Sequence, residues 1–168
     1  GWRVATRMDY VRPRKGENMR SGHMNSSQGI SVVIPVYNSE GSLRELIGRL
    51  GSTLRSVSNC FEVLLVNDGS RDNSWDVVCQ LAKAHEWVRG ISLMRNFGQH
   101  NALLCGIRMA KNEIIVTMDD DLQHPPEEIP KLLDKLAEGY DVVYGTPQRE
   151  QHGLWRDLAS QVTKMALQ

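Results

Sequence analysis

Short apolar, β-branched runs alternate along this chain with longer stretches in which apolar residues recur every three or four positions. Residues 31–36, Ser-Val-Val-Ile-Pro-Val, read as a buried strand ended by Pro35. Leu43, Leu46, Ile47, Leu50 and Leu54 then share one face of a helix, with Ser39 or Ser42 placed to cap it. The pairing repeats. Residues 61–67 form a second strand, 68–73 a turn with Asp72 as candidate cap, and the next helix carries an inner stripe of Trp75, Val78, Cys79 and Ala82. A third strand within 88–94 leads through a polar loop into a helix over 101–111. That helix is apolar nearly all round, which predicts burial on more than one side. A fourth strand, 113–118, runs into Asp119, Asp120 and Asp121. Pro126, Glu127 and Glu128 suit the start of another helix, whose buried face is Ile129, Leu132, Leu133 and Leu136 and which Gly139 stops. Residues 141–145 read as a fifth strand, and Leu154, Leu158, Val162 and Met165 as a last helix.

This alternation predicts an α/β fold with a mostly parallel sheet and helices on both faces. In such a sheet the residues following each strand collect along one edge. Here they are Tyr37, Asn38 and Glu40, then Asp68, then Arg95 and Asn96, then Asp119, Asp120, Asp121 and Gln123, then Thr146 and Arg149. An edge carrying an aromatic ring, carboxylates, amides and arginines reads as a site. Three carboxylates at the end of a buried strand repel one another. A hard divalent cation, Mg2+ or Mn2+, explains them most simply, and a solvated acidic turn is the alternative. A cation on Asp119 and Asp121 would neutralise a diphosphate. Tyr37 could lie against a base, and Asp68 and Glu40 could accept hydrogen bonds from ribose hydroxyls or base N–H groups. Neither Gly-x-Gly-x-x-Gly nor Gly-x-x-x-x-Gly-Lys-Ser/Thr occurs, so the usual dinucleotide and P-loop readings lose their main support.

With 168 residues, 40% hydrophobic and 24% charged, the chain suits one globular domain and not a disordered one. The net charge of zero gives no reason to expect nucleic acid as a partner. Residues 1–29, however, hold six of the twenty Lys/Arg and two of the twenty acids, with no periodicity. They read as a flexible basic arm, partly foreign to the natural chain, with Met24 as a candidate start. A solvated tail is favoured over contact with an anionic membrane. Residues 30–168 are the folded domain. Cys60, Cys79 and Cys105 are odd in number and set in apolar surroundings, which predicts buried thiols in a reducing compartment. No apolar run approaches the roughly 20 residues of a membrane span, and no secretory h-region is present.

Val33-Ile34-Pro35-Val36-Tyr37-Asn38, Val66-Asn67-Asp68-Gly69-Ser70 and Asp119-Asp120-Asp121, at this spacing, resemble family-2 glycosyltransferases of the GT-A fold. The resemblance sharpens with the stretch from Arg95-Asn96-Phe97-Gly98-Gln99 to Ala102, with Asp121-Leu122-Gln123-His124-Pro125-Pro126, and with Glu138-Gly139-Tyr140-Asp141. These are similar to the polyprenyl-phosphate sugar transferases, nearest to the group that places formamido-arabinose on undecaprenyl phosphate. It covers residues 30–160.

The resemblance implies Asp119, Asp121 and Gln123 as metal ligands. It implies Pro35, Tyr37, Asn38 and Glu40 at the nucleoside, Asp68 at the base or ribose, and Arg95 and Asp120 beside the donor. Arg149 and Arg156 would meet the acceptor phosphate. Asp120 departs from the small residue usual between the two ligands. The activity implied is inverting transfer from a nucleoside-diphosphate sugar, UDP favoured, to a polyprenyl phosphate at the cytoplasmic face of the inner membrane. Membrane contact would be peripheral or through residues outside this chain. The last helix breaks off at Gln168, so the GT-A domain is expected to be C-terminally truncated, able to bind donor but slow in transfer, or completed as a homo-oligomer. A nucleotide-binding module without turnover and a transferase with a hydroxyl acceptor stay open as alternatives. The latter is weakened because Gln151-His152-Gly153-Leu154-Trp155 has Leu where Gln-x-x-Arg-Trp needs Arg.

Overall fold

In chain order the elements are β1 (Arg3–Arg7), β2 (Ile30–Val36), α1 (Leu43–Val57), β3 (Phe61–Asn67), α2 (Ser74–Ala84), β4 (Val88–Ser92), α3 (Gln99–Met109), β5 (Ile114–Thr117), a 3-10 turn (Pro126–Glu128), α4 (Ile129–Ala137) and β6 (Val142–Val143). The structure, a computed structural model, describes residues 3–7 and 28–145. The last helix expected from the apolar pattern, with Arg149 and Arg156, lies outside the described residues.

The strand order is β4-β3-β2-β5-β1-β6. Strands β2 to β5 pair in parallel, and β1 runs antiparallel to both β5 and β6. From β2 the chain steps through β3 to β4, then returns to lay β5 on the other side of β2. Right-handed crossovers made in opposite directions put their helices on opposite faces. Accordingly α1, α2 and α4 pack on one face, and among the described residues α3 covers the other. The order reverses between β2 and β5, where open α/β sheets leave a crevice at the strands' carboxyl ends.

All five apolar positions expected for α1 are at most 1% exposed, and the four expected for α4 are buried too. Each such side chain contributes about 1.5–3 kcal/mol of burial. Other expectations need correction. Helix α3 buries only Ala102 and Gly106, while Leu104 and Met109 are exposed. It lies on the sheet through one face, with no second layer over it among the described residues. In α2 the fully buried apolar residues are Val77, Val78 and Leu81; Trp75, Cys79 and Ala82 pack at the margin. The last strand shrinks to Val142–Val143. The basic arm is not structureless throughout, because Arg3–Arg7 forms a strand whose ladders occupy the edge of β5. The cysteines are unbridged, but Cys60 is exposed and Cys79 and Cys105 are only half-buried, not the buried thiols expected.

Candidate functional site

A cleft of about 350 Å³ opens at the switch point. Pro35, Val36 and Tyr37 line it from the end of β2, and Asp119, Asp120 and Asp121 from the end of β5. Asp68 follows β3, Asn96 and Gly98 come from the loop between β4 and α3, and Gln99 is the first residue of α3. Four of the parallel strands therefore contribute through the residues just beyond them, as the sheet geometry requires.

Tyr37 is 44% exposed, so its ring is available to a flat ligand. Asp68 is 3% exposed and accepts hydrogen bonds from Phe97 N–H at 2.7 Å and Gly98 N–H at 2.9 Å. Its first task is to fix the loop before α3 against β3. Gly69 makes this close approach possible. It sits at φ 67°, and a Cβ there would fall 2.5 Å from the Asn96 nitrogen.

The three consecutive aspartates do different things. Asp119 Oδ1 accepts from Gln99 Nε2 at 2.6 Å. Asp121 is exposed, and its Oδ1 accepts from Gln123 N–H at 3.0 Å. Asp120 turns toward β2: its Oδ2 accepts from Tyr37 N–H at 3.3 Å and from the Ser39 hydroxyl. Burial lifts the Asp120 carboxyl above the ordinary carboxylate range; the bonds from Ser39 and Tyr37 oppose that shift and repulsion from Asp121 adds to it. Leu122, next to Asp121, has φ 59°, a conformation that a bulky side chain adopts only when its surroundings impose it.

Other expected site residues face away. Glu40 accepts from Asn73 N–H at 3.0 Å and Asn38 from Arg71 N–H at 2.8 Å, so both brace the loop before α2. Arg95 lies over the Phe97 ring, 4.8 Å from its centroid. None of the three lines the cleft. Gln123 is exposed beyond its rim. Gln99 is a cleft residue that the strand-end reading missed. The signal was present, because Gln99 ends the polar loop that strengthened the family resemblance.

The donor set fits a hard cation. Among the described residues no group of three or more His, Cys, Asp or Glu is arranged to hold a metal. Mg2+ and Mn2+ do not need one: one or two carboxylates with substrate phosphates and water suffice. Asp119 and Asp121 line the cleft and supply two oxygen-bearing groups, while Asp120 is turned to another task.

A mostly parallel sheet with a cleft and paired acids at its switch point is consistent with the GT-A fold. The chain belongs to glycosyl transferase family 2, whose model matches residues 31–164. Among curated relatives, an undecaprenyl-phosphate 4-deoxy-4-formamido-L-arabinose transferase of Pseudomonas paraeruginosa is 43% identical over 140 residues, covering 83% of this chain and 41% of that protein. The transferase of the same name in Salmonella choleraesuis is also 43% identical, over 83% of this chain and 43% of its own length. The chain thus spans about two fifths of these relatives. Among solved structures, a mannosyltransferase from Pyrobaculum calidifontis in complex with GDP-Man and Mn2+ superposes with TM-score 0.57 at 24% identity, over 64% of this chain and 32% of that one. Glucosyl-3-phosphoglycerate synthase from Mycobacterium tuberculosis, with Mn2+, UDP and phosphoglyceric acid, gives 0.54 at 22% identity, over 68% and 40%. Both likenesses establish the fold. Among the described residues no helix is long and apolar enough to cross a membrane.

Proposed function

We propose that this chain is the donor-binding part of an inverting glycosyltransferase that moves a sugar from a nucleoside diphosphate, UDP favoured, to a polyprenyl phosphate such as undecaprenyl phosphate. The observation that carries the proposal is the single cleft shared by Tyr37, Asp68, Asp119 and Asp121. Its polar groups suit a base at one end and a diphosphate at the other. The names of the curated relatives support the polyprenyl acceptor. Action at the cytoplasmic face of the inner membrane, through peripheral contact or through residues outside this chain, goes with that acceptor.

Transfer is a single displacement. An oxygen of the acceptor phosphate forms a bond to the anomeric carbon as the bond from that carbon to the diphosphate oxygen breaks. The nucleoside diphosphate leaves with the electron pair. The acceptor is anionic near neutral pH, so no strong general base is needed. A bound Mg2+ or Mn2+ would supply positive charge to the leaving diphosphate. Asp119 and Asp121 would hold it, with Gln123 a candidate to swing in as third ligand. Tyr37 would seat the base. Asp68 would fix the loop that carries Asn96 and Gln99 onto the cleft, and Gln99 would orient Asp119. Arg149 and Arg156 are assigned to the acceptor phosphate on the family resemblance.

A thermal-shift panel of UDP, GDP and their sugars, each with and without Mn2+, tests this reading. Stabilisation by UDP and UDP-sugars only with the ion is expected. No shift with any nucleotide would refute the donor site, and a preference for GDP would overturn the choice of base.

A further inference from the structure

Two backbone segments meet across the switch point, one after β2 and one after β5. Each holds a non-glycine residue in the left-handed region, Asn38 at φ 53° and Leu122 at φ 59°. Asparagine adopts this region readily, whereas a leucine keeps it only when its surroundings impose it. The Tyr37–Ser39 turn is fixed on one side by the loop before α2 and the first residue of that helix: Asn38 N–H donates to Ser70 Oγ at 3.1 Å and Ser39 N–H to Ser74 Oγ at 2.8 Å. On the other side its partner is Asp120. One oxygen, Oδ2, accepts both Tyr37 N–H at 3.3 Å and the Ser39 hydroxyl. Ser39 has a single hydroxyl proton and a second acceptor in reach, the Tyr37 carbonyl at 3.1 Å. An ionised carboxylate is the stronger of the two. Asp120 thus ties the residue that presents an aromatic ring to the cleft to the segment that presents Asp119 and Asp121.

We propose that Asp120 is a positioning residue that locks the base-binding turn to the acidic corner, so that the two halves of the cleft are held as one unit. It acts through an oxygen at a fixed point rather than through charge on a cation. This rests on the nucleoside-diphosphate reading of the cleft, and the two can fail separately.

Three variants and two readouts decide it. Asp120→Ala removes the acceptor, Asp120→Asn keeps a carbonyl oxygen that can take both bonds while losing the charge, and Ser39→Ala removes one donor. Amide hydrogen exchange at Tyr37 and Ser39 is measured against the β3 amides as an internal reference for global stability. Binding of UMP is measured in EDTA, where no cation takes part. Asp120→Ala is expected to speed exchange at Tyr37 more than about tenfold relative to β3, and to weaken UMP about tenfold, the scale seen when a supporting bond behind a binding group is lost. Asp120→Asn should restore both to within about threefold of the natural chain, with Ser39→Ala intermediate. Unchanged exchange at Tyr37 in Asp120→Ala would overturn the proposal. So would an Asp120→Asn protein that behaves like Asp120→Ala, because the charge would then be what matters. If the natural chain bound neither UMP in EDTA nor UDP with Mn2+, the nucleotide reading would fall, and the exchange comparison would still decide whether Asp120 locks the turn.

Discussion

At the amino ends of the parallel strands, Glu62 is 6% exposed and surrounded by partners. Arg89 Nη1 donates to it at 2.7 Å, Lys111 N–H at 2.6 Å and the Ser31 hydroxyl at 2.8 Å, while Arg89 also reaches the Met109 carbonyl at the end of α3. At the carboxyl ends of the same strands, among the described residues, Asp68, Asp120 and Asp121 have only hydroxyl and backbone N–H partners. The two ends respond oppositely. Burial pushes the Glu62 carboxyl up, but the bonds from Arg89, Lys111 and Ser31 outweigh it and the net shift is downward. At Asp120 burial wins and the net shift is upward. A carboxylate neutralised by its own protein anchors a helix end and holds nothing else. A corner whose Asp120 and Asp121 meet only hydroxyl and backbone N–H partners keeps like charges together and is suited to an external cation.

The sharpest way to break this contrast is to remove a proposed ligand. Asp121→Ala or Asp119→Ala should weaken Mn2+-dependent UDP binding at least about a hundredfold, and Asp121→Ala, which removes a like charge beside Asp120, should do so with no fall in melting temperature. Calorimetry and a melting curve on the same sample check both halves. Glu62→Ala should do the reverse. It leaves Arg89 partly buried without its partner and is expected to cost about 3 kcal/mol of stability in urea unfolding, while UDP affinity at a permissive temperature stays within about twofold. Gly69→Ala should affect both properties. A Cβ at φ 67° and 2.5 Å from the Asn96 nitrogen displaces the loop that Asp68 anchors. A loss of about 2 kcal/mol and weaker nucleotide binding are expected, and unchanged binding would show that the loop does not shape the cleft.

The smallest effect is with pH. The Glu62 carboxyl lies below its ordinary 4.5 in the folded state, so its contribution is fully present above that value. It is lost as pH falls through the folded value, since the unfolded chain takes up the proton first. Unfolding free energy followed from about pH 7 to about pH 3 should therefore fall less steeply in Glu62→Gln than in the natural chain. Identical slopes would remove Glu62 from the account of acid stability.

Much of the architecture was legible in the chain, because burial on one or both faces leaves a periodic mark. The leucines of α1 and the run before Asp119 were unambiguous. Helix α3 misled because composition reports how apolar a helix is and not how many layers cover it; Leu104 and Met109 stay exposed on a face with no partner among the described residues. The strand at Arg3–Arg7 was missed because its pairing is with β5 and β6, far along the chain. The site divides in the same way. Tyr37, Asp68, Asp119 and Asp121 follow from strand-end logic. The role of Asp120 depends on bonds to residues 83 and 81 positions away, which no local pattern encodes. Glu40, Asn38 and Arg95 stand at the correct edge, but local loop geometry turns them to other partners.

The central claim is that the two ends of one sheet divide structure from chemistry, with a cation completing the carboxyl end. Calorimetric titration of UDP into the natural chain, with Mn2+ and then in EDTA, tests it most directly. The account predicts measurable affinity with the ion and its loss, by at least about a hundredfold, without it. Equal affinity in the two titrations would contradict it.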